Sequence, residues 1–284
     1  MTDSGNPSYQ KFANERIVIM SAPNGARRMP AEHASLPISS KQIAECAGSL
    51  ADASVSVLHM HVRDENDLHT LDAARYQDAI AAVKSAVGDA MIVQVTTEAV
   101  GRYQPDEQMH MVRDVRPEAV SLALRELCSD EAAELVAGAF FEWLVNEHIW
   151  PQYILYSVED VLRFVRLCRK GLFADDHPFC MLVLGQYADG REGKVSELDE
   201  MLASGADQYP WSVCCFGKDE NAAALHAASV GGHVRIGFEN NVLLLDGSVA
   251  IDNAALIEQF NETGPADSRQ AATADEIRGR WLET

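Results

Sequence analysis

The chain has 284 residues, 47% of them apolar and 23% charged, the profile of a soluble globular protein long enough to bury a sizeable core. Its 43 acidic against 23 basic side chains give a net charge of −20, which repels nucleic-acid phosphates and anionic membranes and sets both aside as partners. The polar opening Met1–Asn14 reads as no signal peptide, and no apolar run approaches the ~18 residues a membrane span needs.

Short apolar, β-rich runs alternate with longer helical patterns. Strands are predicted at Arg16–Ala22, Val55–Val62, Met91–Thr97, Ala119–Leu124, Tyr153–Tyr156, Phe179–Leu184, Tyr209–Cys214 and His233–Ile236. Helices are predicted at Ser40–Ala53, Asp72–Val87, Pro105–Asp114, Asp130–Glu147, Ser157–Lys170, Lys194–Leu202, Glu220–Ser229 and Asn253–Thr263. Ser39 or Ser40, Asp72 and Ser129 supply start signals, and Gly88, Gly171 and Gly205 fall where helices should stop. Eight β/α alternations in one uninterrupted domain point to an α/β fold, a single (β/α)8 (TIM) barrel; an open doubly wound sheet is the competitor. Met1–Glu15 reads as a loose N-terminal segment, residues 16–284 as the barrel domain, and Thr273–Leu282 as a short terminal helix. The six cysteines, at 46, 128, 168, 180, 214 and 215, contain no CxxC pair. They fit small core side chains in a reducing cytoplasm better than a disulfide framework or a cysteine zinc site.

In such barrels chemistry sits at the C-terminal ends of the strands. The second strand ends in Leu58-His59-Met60-His61-Val62-Arg63-Asp64. Residues i and i+2 of a strand share a face, so His59 and His61 project together at the barrel mouth as a natural pair of ligands for a zinc ion. A catalytic zinc takes a third protein ligand and keeps one position open. Glu239, just past the last strand, is the candidate, because the loops after strands two and eight both face the mouth of a closed barrel. His233 is the alternative, but it opens its strand and so belongs to the other end.

These residues also carry a resemblance. Ser21-Ala22-Pro23-Asn24-Gly25-Ala26, Leu36-Pro37-Ile38, His59-Met60-His61-Val62-Arg63-Asp64, Gln94-Val95-Thr96-Thr97, Pro117-Glu118 and Gly231-Gly232-His233-Val234-Arg235-Ile236-Gly237-Phe238-Glu239-Asn240-Asn241 stand in the order of the β-keto acid cleavage enzyme family. The resemblance covers about residues 16–282. It implies a zinc-bearing TIM barrel that reacts a β-keto acid with acetyl-CoA in a retro-Claisen-type acyl transfer, giving acetoacetate and a new acyl-CoA. It places the zinc ligands on His59, His61 and Glu239, the active-site arginine on Arg235, and hydroxyl positions on Thr96 and Ser121. It also implies a homo-oligomer, a tetramer or dimer, with exchange contacts expected from Met1–Glu15 and the terminal helix.

The departures are equally informative. The family's base aspartate after the glutamate ligand is Asn240 here, and an amide cannot take a proton near neutral pH. Glu98, Asp64 or a metal-bound hydroxide are the possible replacements. A glutamate on the fifth strand is matched by Ile154, and the usual Thr-Gly-Gly after strand three is Thr97-Glu98-Ala99. The first-loop glutamate that receives an amino substrate is matched by Arg27, which with Arg28 repels an ammonium and favours a substrate with an anionic tail. Arg27 and Glu98 are therefore substrate-binding candidates. Gly217-Lys218 follows strand seven, where barrels commonly bind phosphate, and is the candidate contact for CoA. No P-loop or GxGxxG supports ATP or NAD. Two other readings stay open: a metal-dependent lyase or aldolase that needs no CoA, and a zinc-retaining barrel that binds a metabolite without turnover.

Overall fold

The structure is a computed structural model that describes residues 7–175, 177–186, 190–264 and 269–282. Eight parallel strands close into a barrel: β1 Ile19–Ser21, β2 Val57–Met60, β3 Ile92–Thr96, β4 Ala119–Ala123, β5 Trp150–Leu155, β6 Phe179–Gln186, β7 Trp211–Cys215 and β8 His233–Ile236. Each pairs with the next in sequence, β8 pairs with β1, and the β5–β6 register Gln152↔Phe179 belongs to the same closed ring. The open doubly wound sheet is thereby excluded. Helices follow the strands outside: α2 Ser40–Asp52, α3 Ala73–Val87, α4 Pro105–Val115, α5 Glu131–Asn146, α6 Val158–Arg169, α7 Val195–Ala203, α8 Glu220–Ser229 and α9 Asn253–Thr263, between the terminal helices α1 Pro7–Glu15 and α10 Ala274–Trp281. Ser39 and Asp72 cap their helices as predicted, whereas α5 is capped by Asp130, one residue after Ser129.

Alternation along the strands divides the interior. Val93, Val95, Val120 and Leu122 face the helices, while Val57, Ile92, Ala119, Trp150 and Phe179 point inward and form an apolar floor. Two residues further along the first four of those strands the inward face turns polar, with His59, Gln94, Ser121 and Gln152, all at most 1% exposed, while β6 stays apolar at Met181. The same step on β8 leads from His233 to Arg235. The change from apolar floor to polar layer puts the chemistry at the C-terminal mouth.

Two expectations need correction. Residues 7–15 form α1, and Tyr9 and Phe12 bring their rings edge-on to His233 from below the barrel. Trp281 of α10 stacks on Trp150 with ring centroids 4.7 Å apart. Burying these aromatic rings against the floor packs both terminal helices onto the bottom of the barrel. Residues 1–6 of the predicted loose segment and residues 283–284 lie outside the described residues. The fifth strand also begins at Trp150, earlier than Tyr153. Pro151 lacks an N–H and argues against a strand in sequence, yet here it sits inside the ladder opposite Val120. Among the described residues, no helix is long and apolar enough to cross a membrane.

Candidate metal centre

His59 and His61 extend from the end of β2, and Glu239 from the loop after β8, and one potential ligand atom from each lies within 4.8 Å of the other two. The two Nε2 atoms are 3.1 Å apart, and Glu239 Oε2 is 3.5 Å from each. Tetrahedral ligands bound at ~2.0–2.1 Å stand about 3.3–3.4 Å from one another, so the three edges match a single ion at the centre. Glu239 Oε2 is buried and has no hydrogen-bond partner, an orphaned acceptor that a cation would satisfy.

The surroundings set each donor's state. His59 Nδ1 lies 2.8 Å from Gln94 Oε1, an acceptor, so the ring proton sits on Nδ1 and the Nε2 lone pair faces the site. Burial, aided by the Arg235 charge, holds His59 well below the usual imidazole range and keeps it neutral. Burial alone would raise the Glu239 carboxyl, but the Arg235 guanidinium beside it outweighs that and keeps it far below the usual carboxylate range. Two imidazole nitrogens and one carboxylate form a donor set of catalytic zinc sites. His61 is fixed through its backbone: Asn24 accepts from its N–H at 3.1 Å and donates to its carbonyl at 2.8 Å.

The first loop is built around the third ligand. Gly25 has φ +63°, and a Cβ there would lie 2.6 Å from Glu239 Cγ. Gly25→Ala therefore strains the backbone and pushes the ligand. The expected result is metal affinity weakened at least about tenfold in a folded protein, measured by chelator competition; unchanged affinity would contradict this packing. Buried Arg63 holds the same loop, donating to the carbonyls of Gly25 at 2.6 Å and Arg28 at 2.9 Å.

A cavity of about 160 Å³ opens beside the triad. His59, Glu239, Arg235, Thr96, Glu98 and Arg27 all stand on its wall. Arg235 Nη2 is 3.5 Å from Glu239 Oε1 and donates to Cys214 Sγ at 3.2 Å, while its buried Nε has no partner. Thr96 Oγ1 accepts the Glu98 N–H at 3.0 Å. The Glu98 carboxylate lies 3.7 Å from Arg27 Nε and 3.9 Å from His61 Nδ1, and burial raises its pKa against the pull of His61. Arg28 is used structurally, donating to the Phe238 carbonyl at 2.7 Å.

Other sequence candidates fall elsewhere. Ser121 is buried beside Thr96 in the β3–β4 register, its hydroxyl unpartnered, and is not part of the cavity wall. Asn240 is 3% exposed, both its amide atoms lack partners, and it too is absent from that wall. Asp64 accepts the N–H groups of Asn66 and Leu68 in a surface turn. Lys218 is exposed, but the Gly217 N–H is already bonded to the Asn240 carbonyl at 3.1 Å and has no capacity for a phosphate. His233 is on the floor, its Nδ1 accepting from the Val18 N–H, so it is no ligand of this centre. Sequence reasoning missed Gln94, which the inward parity of β3 could have revealed. It also missed Arg125, Glu126 and Tyr156, wall residues brought in only by barrel closure.

Comparison with known proteins agrees with this architecture. The chain is 27% identical over 274 residues to the 3-keto-5-aminohexanoate cleavage enzyme of Acetoanaerobium sticklandii, covering 93% of this chain and 97% of that one. It is 24% identical over 273 residues to the 3-oxoadipate:acetyl-CoA acetyltransferase of Cupriavidus necator, covering 92% and 93%. Among solved structures, the ternary complex of ObcA with C4-CoA adduct and oxalate matches in fold with a TM-score of 0.66 at 14% identity, covering 87% of this chain and 67% of that one. The sequence profile of the beta-keto acid cleavage enzymes matches residues 16–281, and the chain belongs to that family.

Proposed function

We propose that the chain is a zinc-dependent acyltransferase that reacts a β-keto acid with acetyl-CoA to give acetoacetate and a new acyl-CoA. In balance, R–CO–CH2–COO⁻ and CH3–CO–S–CoA exchange acyl groups. The bond between the keto carbon and the CH2 breaks, the CH2 carbon takes the acetyl group, and R–CO passes to the CoA sulfur, with no net oxidation. The observation that carries this reading is the convergence of His59, His61 and Glu239, two of which, His59 and Glu239, stand on one cavity wall with Arg235, Thr96, Glu98 and Arg27. Acetyl-CoA as co-substrate is supported by relatives named as acetyl-CoA transferases.

Bound zinc supplies a positive charge that stabilises negative charge developing on the keto oxygen. Arg235 clamps the substrate carboxylate with its guanidinium fork. Thr96, its oxygen already accepting from the backbone, has its hydroxyl proton left to donate to a substrate oxygen, while Ser121, next to it in the register with an unpartnered hydroxyl, is a second hydroxyl candidate behind the wall. Glu98, a wall carboxylate that is not a ligand, takes a proton from the CH2 carbon before that carbon takes the acetyl group and returns it to the same carbon when R–CO leaves for the CoA sulfur. Arg27 repels an ammonium and receives an anionic tail. Lys218 meets a CoA phosphate with its side chain alone. The reading places the enzyme in the cytoplasm, consistent with six free cysteines, as a homo-oligomer, either a dimer or a tetramer.

The test is a panel of β-keto acids incubated with the purified protein and acetyl-CoA. Acetoacetate and a new acyl-CoA should appear together. Cleavage without CoA would make the protein a lyase, and zinc retained with no turnover would make it a binding protein. Within that assay, Glu98→Gln is expected to lower kcat by about a hundredfold, and Asn240→Asp to leave it near the wild-type value. A rise in Asn240→Asp with Glu98→Gln unaffected would put the proton acceptor at position 240.

A further inference from the structure

The loop that carries Glu239 is wired through its backbone. The Phe238 N–H donates to Asn253 Oδ1 at 2.8 Å, the Glu239 N–H to the Ala22 carbonyl at 3.0 Å, and the Asn240 and Asn241 N–H groups to the Gly237 carbonyl. Gly237 has φ +152°, and a Cβ there would lie 2.4 Å from the Ala22 carbonyl oxygen, so the backbone passes where only glycine fits. The Gly237 N–H, where the chain leaves β8, donates to a side chain from another element: Glu220 Oε1, at 3.0 Å.

Glu220 is the first residue of α8 and is 2% exposed. Its second oxygen accepts from Asn241 Nδ2 at 3.3 Å. The Asn241 amide cannot turn over, because its Oδ1 accepts from the Leu243 N–H at 2.9 Å and its Nδ2 also donates to the Leu243 carbonyl at 2.7 Å. Glu220 therefore faces two fixed donors that bracket the ligand, one at each end of the Gly237–Asn241 loop. A carboxylate is the side chain of this length that offers an acceptor to both; glutamine would turn its NH2 toward one of them. The charges of Arg235 and Arg28 also favour the ionised form of Glu220, but less than the two hydrogen bonds do. Burial pushes its carboxyl up to about 8 in spite of both hydrogen bonds, so the group is costly to keep where it is. It does not reach the cavity wall and has no part in the reaction as derived above.

We propose that Glu220 is a positioning residue of the metal centre: by holding both ends of the Gly237–Asn241 loop, its buried carboxyl group sets Glu239 and thereby the affinity of the site for a divalent cation. This rests on the reading of His59, His61 and Glu239 as the cation site.

The test uses the full chain and two probes, Zn2+ affinity by chelator competition and the absorption spectrum of the Co2+-loaded protein. Glu220→Gln should bind Zn2+ about 10- to 100-fold more weakly and alter the Co2+ spectrum. Asn241→Ala, which removes the second donor together with the two side-chain bonds to Leu243, should shift both readouts the same way and serves if Glu220→Gln does not fold. Ala224→Gly, a buried change further along α8, should lower Tm and leave affinity and spectrum alone, separating loss of stability from loss of positioning. Wild-type affinity and spectrum in Glu220→Gln and Asn241→Ala, with only Tm lowered, would overturn the proposal. Wild-type protein that binds no Zn2+ would instead defeat the cation-site reading, and this proposal with it.

Discussion

His59→Ala is expected to abolish stoichiometric metal binding and to lower kcat/KM by at least about a thousandfold, ~4 kcal/mol of transition-state stabilisation, in a protein that keeps its barrel. The size follows from the donor set: with three protein ligands, losing one leaves His61 and Glu239, too few to hold a catalytic zinc. The fold should survive because the change lies in the polar layer, above the apolar floor of Val57, Ile92, Trp150 and Phe179. Its structural cost is a small cavity and a Gln94 Oε1 left without its partner, about 1–3 kcal/mol. Metal analysis, circular dichroism and turnover on one preparation check all three parts. Full occupancy in the variant would remove His59 from the ligand set.

Arg235→Met should cost nearly as much activity by a different route. The guanidinium is 3% exposed, lies 3.5 Å from Glu239 and has an unpartnered Nε. Its loss would remove the fork proposed for the substrate carboxylate and also strip Glu239 of a buried counter-charge. We expect kcat/KM to fall by about 10³ and the metal-free protein to lose about 3–5 kcal/mol. Zinc restores a positive charge beside Glu239, so the stability loss should shrink when the metal is bound. Arg235→Lys keeps charge without the planar fork and should recover stability more than turnover. Thermal melts with and without Zn2+, beside kcat/KM for each variant, separate the two effects. Equal destabilisation in both metal states would show that Arg235 does not share the Glu239 charge with a cation.

The barrel was legible because each strand is a short apolar run closed by a helix signal. All eight strands stand where the alternation placed them, with two poor boundaries: the first barrel strand starts at Ile19, because Arg16–Ile17 pairs instead with Gln270–Ala271, and the fifth starts before Pro151, where the local rule against proline in a ladder loses to tertiary pairing. Helix α1 was illegible for a related reason. Its apolar residues are few, and what orders them is contact with His233 and Trp281, more than 200 positions away. The histidine pair followed from strand parity alone. Glu239 needed barrel closure to bring it near, and the resemblance to single it out from other loop carboxylates. Glu220 looked like an ordinary acidic helix start, and nothing local reveals that its carboxylate turns inward to hold the loop after β8.

The decisive measurement is the metal content of freshly purified protein that has not been exposed to chelators. One zinc ion per chain, lost on His61→Ala and on Glu239→Gln, is the predicted result. A protein that carries no divalent ion and takes up none on dialysis against zinc would contradict the account.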